Sequence, residues 1–142
     1  MFQFFSKRLR NDRGFTLIEL LIVVAIIAIL AAILIPNFLR ARAQSQISAS
    51  KGNMKNFGTA LESYFVDSGQ YPDGLADLEP NYIRDVTAAN IDPCSNVAYA
   101  YTTTGVPPTD YRLETPDWTG TQCANILSGL SYTPGGGLSE SP

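Results

Sequence analysis

One carboxylate, Glu19, stands at the front of an apolar run, Leu20 to Ile35, that contains no polar side chain. At the centre of a bilayer an acid costs roughly 2.5–3.5 kcal/mol, and the cost falls towards the interface. What would favour it there is positive charge. The first four N–H groups of a helix are unpaired and carry about half a positive charge between them. Glu19 lies one helical turn beyond Phe15, about 6 Å along the axis. The chemistry readable here is a carboxylate placed where the positive end of a helix favours it.

Few other residues offer chemistry. The chain has no histidine, so Ser-His-Asp and Cys-His arrangements are impossible. There is no P-loop, GxGxxG or GxSxG, and we expect no catalytic residue and no cofactor. Asp67, Asp73, Asp77, Glu79, Asp85, Asp92, Asp110 and Asp117 are scattered and lack EF-hand spacing. A calcium site on Asp110 and Asp117 is conceivable; a solvated acidic surface fits better, and no metal is expected. Cys94 and Cys123 make no CxxC pair, which argues against zinc. Beyond a membrane segment they read as a disulfide, with two unpaired buried thiols as the alternative. Tyr99, Tyr101, Tyr111 and Trp118 read as sheet packing, with a stacking platform for single-stranded DNA as the alternative. The net charge of −3, acidic after Gly14, argues against tight nucleic-acid binding.

The element that must position Glu19 is a helix. Phe15 to Leu39 meets the roughly 20 residues a span needs, interrupted only by Thr16, Glu19 and Asn37. Pro36, near its far end, removes one helix hydrogen bond and should kink or loosen the preceding turn. A secretory signal peptide ending at Ala41-Arg42-Ala43 is one reading, but the core is too long for it and carries an acid. A plain membrane anchor is another. Lys7, Arg8, Arg10 and Arg13 precede the run, yet Arg40, Arg42, Lys51 and Lys55 follow it, so charge alone does not orient it.

Gly14-Phe15-Thr16-Leu17-Ile18-Glu19, after a short basic leader and before an unbroken apolar helix, resembles the processing signal of type IV pilins and of the pseudopilins of type II secretion. The resemblance is strong from Gly14 to about Pro72. It implies removal of a leader, residues 1–14, by the prepilin peptidase between Gly14 and Phe15. It implies N-methylation of Phe15, and assembly through Glu19 and its neighbour Thr16, with Glu19 pairing to the amine of an adjacent subunit. The implied partners are further copies in a helical filament, the peptidase, an inner-membrane assembly platform and cytoplasmic motor ATPases. The precursor would sit in the inner membrane with a periplasmic head, then move to the cell surface. The resemblance favours a type IV pilus subunit, because a disulfide-closed C-terminal loop is more typical of pilins, whereas major pseudopilins tend to use a calcium loop. The alternatives are a type II secretion pseudopilin and a membrane-anchored minor pilin-like binding protein.

The helical pattern continues past the lipid edge. Ile47, Met54, Phe57, Leu61, Tyr64 and Phe65 fall at amphipathic spacing. Ser68-Gly69 and Pro72 end the helix. From Phe15 to Val66 it would run on the order of 75–80 Å. We expect an α+β fold: a long N-terminal helix whose amphipathic half packs on a small antiparallel sheet. The predicted divisions are a membrane and filament-core helix over 15–39, an amphipathic helix over 40–68, a β head over 69–133 and a flexible tail over 134–142. Strands are predicted at Asn96–Thr104, Tyr111–Thr115 and Ile126–Tyr132, with a helical turn within Gly74–Ile83.

Overall fold

The computed structural model describes residues 15–141; Gly14, the rest of the expected leader and Pro142 lie outside the described residues. Helix α1 runs from Leu17 to Ser68, with Pro36 inside it. Two compact units divide the chain, with the boundary between Phe38 and Leu39.

In the first unit, every large apolar side chain from Phe15 onward is exposed, from Phe15 at 76% and Leu17 at 80% to Phe38 at 68%. A helix that is apolar all round has no buried face of its own. This helix is the one element among the described residues long and apolar enough to cross a membrane, with a mean hydropathy of 3.3 over its best window.

In the second unit, Ala43, Ile47, Ser50, Met54, Phe57 and Leu61 recur at three- and four-residue spacing and bury one face of α1. Gly69, at φ +73°, ends the helix in the left-handed region, and its N–H bonds to Phe65 O at 2.8 Å. A 3₁₀ turn, Leu75–Leu78, and the short helix α2, Val86–Ala89, follow. Asp85 caps α2, accepting from Ala88 N at 2.9 Å. Strands β1 (Ala100–Thr104), β2 (Asp110–Glu114), β3 (Gly129–Thr133) and β4 (Gly137–Ser141) form an antiparallel sheet in sequence order. The register pairs Thr102 with Arg112, Leu113 with Tyr132, and Leu130 with Glu140. Tyr99, Tyr111, Leu113, Trp118, Cys123 and Leu130 fill the core with the buried face of α1. The fold is α+β, a long helix packed on a small antiparallel sheet.

Three local expectations change. The first strand begins at Ala100, not Asn96, because Asp92 organises a turn before it. Its buried carboxylate accepts from the N–H groups of Cys94 and Ser95, the hydroxyls of Ser95 and Ser50, and the indole N–H of Trp118. Asn96, at φ 58°, completes that turn. The third strand starts at Gly129, after a 3₁₀ turn at Cys123–Asn125. The segment expected as a flexible tail instead carries β4 on the free edge of β3. Its Pro134-Gly135-Gly136 is the hairpin turn, with Gly136 N–H on Thr133 Oγ1 at 3.2 Å. Gly- and Pro-rich text specifies a turn as readily as a tail when a strand edge waits beside it.

Candidate assembly site at the start of the helix

Thr16 and Glu19 are brought together by the first turn of α1. The Glu19 carboxylate accepts through Oε2 from the Thr16 N–H at 2.9 Å and from the Thr16 hydroxyl at 2.6 Å. Thr16 Oγ1 in turn accepts from the Glu19 N–H at 3.3 Å. This reciprocal exchange is a capping box, which satisfies two otherwise unpaired donors at a helix start. Its signature, a Thr followed three residues later by Glu ahead of an apolar run, stood in the sequence as Thr16-Leu17-Ile18-Glu19. The sequence reading aimed Glu19 at an amine and missed this local role. The two are compatible, since Oε1 makes no hydrogen bond among the described residues and stays available to a cation. Phe15 is exposed beside the box, while Gly14 lies outside the described residues.

The remaining predicted positions fall elsewhere. Pro36 sits within α1, and the helix assignment runs through it. With no N–H on Pro36, one carbonyl of the preceding turn loses its donor. The next residue, Asn37, donates its side-chain amide to Ile33 O at 3.2 Å. Cys94 and Cys123 are bonded to each other, with Cα atoms 6.0 Å apart. Asp110 and Asp117 do not converge on a common site. Asp110 accepts from Tyr111 N, and Asp117 accepts from the N–H and hydroxyl of Thr119, which hold its carboxyl below the usual range. Among the described residues no three metal-type ligands cluster. Tyr99, Tyr111 and Trp118 are buried, and Tyr101 is half-buried with its hydroxyl on Pro72 O at 2.9 Å. Their faces pack in the head and offer no stacking platform for bases.

Residues 9–35 match the family described as the prokaryotic N-terminal methylation motif. The chain is 56% identical over 63 residues to a type IV major pilin protein of Myxococcus xanthus, a stretch covering 44% of this chain and 29% of that one. Over that stretch the chain is similar to a type IV major pilin. A type IV wide pilus major component of Thermus thermophilus is 47% identical over 70 residues, covering 49% of this chain and 53% of that one. The type II secretion system core protein G of Pseudomonas aeruginosa is 39% identical over 70 residues, covering 49% of each. The chain thus spans less than two thirds of the length of each of these relatives.

Proposed function

We propose that this chain is the structural subunit of a type IV pilus. It is made as an inner-membrane precursor with its head in the periplasm. The prepilin peptidase cuts it between Gly14 and Phe15, and Phe15 is N-methylated. The observation that carries this reading is the stretch from Phe15 to Leu39, where every large apolar side chain is exposed and one capped acid stands at the entrance. Such a surface is stable in lipid or against other copies of itself, and burying it between many subunits gives a cohesive filament core. The free edge of the Glu19 carboxylate pairs with the amine of a neighbouring Phe15, setting the stagger between helices. The assembly platform and cytoplasmic motor ATPases supply the work, and the protein itself performs no catalysis.

The test is electron microscopy of sheared surface filaments with mass spectrometry of their N-termini. Long fibres containing this chain, beginning at methylated Phe15, are expected. A Glu19→Val chain should be cut and inserted but assemble poorly or out of register; normal filaments from it would remove the pairing. The likeness to core protein G supports a second reading, a short periplasmic filament of type II secretion. Processed chain without surface fibres would favour that one.

A further inference from the structure

Two arginines stand where the apolar run of α1 ends. Leu20 to Leu39 spans about 30 Å of helix, which matches the hydrocarbon thickness of a bilayer. Glu19 marks one boundary of that length and Arg40 the other, with Arg42 about 3 Å further along the axis. Both arginines are exposed on α1, and neither makes an ion pair among the described residues. The next bases differ: Lys51 pairs with Glu140, and Lys55 lies about 24 Å beyond the run. Bases just past a span on its translocated side run against the usual charge bias of membrane insertion. A second copy packed along α1 does little to balance them. Between Glu19 and Glu62 the helix carries no acid, and Glu62 lies about 30 Å beyond Arg42.

We propose that Arg40 and Arg42 bind the phosphates of anionic phospholipids on the membrane face from which the head emerges. The contact rests on the reading above, in which the precursor spans the inner membrane with its head across it, and it names the lipid that holds the precursor there. A guanidinium fork matches phosphate oxygens two at a time. The aliphatic stem of arginine lies along apolar surface while its charge reaches the polar layer. Residues two apart sit about 200° apart round a helix axis, so the pair reaches lipids on opposite sides of α1. An anionic headgroup balances the arginine charge, whereas a zwitterionic one brings its own cation and leaves the excess. With α1 held at this boundary, residue 15 sits about 6 Å, one helical turn, outside Glu19 at the opposite one.

The test is photolabelling of the full-length chain in phosphatidylcholine vesicles that carry a minor fraction of phosphatidylglycerol with a diazirine in its headgroup. Label is expected on residues 37–46, mapped apart from any on the bases before Gly14. Unlabelled phosphatidylglycerol should compete it off, while phosphatidylethanolamine, a phosphodiester with its own ammonium, should not. Arg40→Gln and Arg42→Gln should each lower that label about fivefold, and the double variant about 25-fold, the factors expected for arginines beside an anionic surface. Both positions are exposed, so the head should keep its disulfide and its unfolding temperature. Lys55→Gln, also at an exposed position but out of reach, should leave the label unchanged. Three results overturn the lipid contact and leave the filament reading intact: no label at 37–46 in the wild type, equal label in the double variant, or equal competition by phosphatidylethanolamine. The first would assign the arginines to carboxylates on the head of a second copy. Protease accessibility of the head in spheroplasts tests the reading itself. A head on the cytoplasmic side removes it, and the contact with it.

Discussion

At the scale of single residues, the head is organised by a buried acid with no ion-pair partner among the described residues. Asp92 is fully buried, and five donors converge on its carboxylate from α1, its own turn and Trp118. Charge-assisted hydrogen bonds replace the water it has lost. Asp92→Asn would set an NH₂ group against donors and leave them unpaired. We expect a loss of about 2–4 kcal/mol in denaturant unfolding of the detergent-solubilised chain. A second residue-scale expectation concerns alkaline pH. Burial pushes the Tyr71 hydroxyl up to about 12 from an ordinary 10.0, helped by its hydrogen bond to Glu62. Burial raises Tyr101 and Tyr111 as well. The fold therefore favours the neutral phenols. Their contribution is complete below the unfolded value near 10 and is lost as pH rises through the folded value. The melting temperature should fall from about pH 10 to 12, and replacing Tyr71 with Phe should flatten part of that slope.

At the scale of elements, α1 is one helix with two environments, and its glycines differ accordingly. Nothing lies within 4 Å of a Cβ added at Gly52, whereas one added at Gly58 would meet the Tyr132 ring at 2.5 Å. Gly58 lets the Tyr132 ring, which comes from β3, lie close on the helix. Gly52→Ala should therefore stabilise the head by about 0.5–1 kcal/mol, the ordinary helix gain. Gly58→Ala should destabilise it by about 1–3 kcal/mol through overpacking. Chemical denaturation of the two variants side by side checks both signs, and a gain at Gly58 would contradict the close approach. The apolar stripe of α1 was readable because its spacing is local to the helix. The role of Gly58 was not, because it depends on a ring that arrives from β3. For the same reason β4 escaped the sequence reading: its pairing partner β3 lends it an order that Gly137-Leu138-Ser139-Glu140-Ser141 does not announce.

At the scale of the whole molecule, Cys94 and Cys123 close a loop across a separation of 29 residues. The bond ties the turn of Asp92 to the chain that leads into β3, and Gln46 holds the same turn to α1 through Pro93 O at 2.9 Å. Replacing both cysteines with Ser should cost the head roughly 3–4 kcal/mol on the loop-entropy account. Thermal unfolding of the oxidised, reduced and double-Ser chains measures it, with reduced and double-Ser chains expected to agree. The sequence by itself determined the long helix, its apolar and amphipathic halves and the anomaly of Glu19. These are short-range properties, set by composition and by spacing along one helix. Tertiary structure alone decided that Asp92 is a buried hub, that the tyrosines face inward, that Gly58 must stay small and that the C-terminal residues form a strand. Each of those facts depends on groups far apart in sequence meeting in space, and no local pattern records which partner will be there.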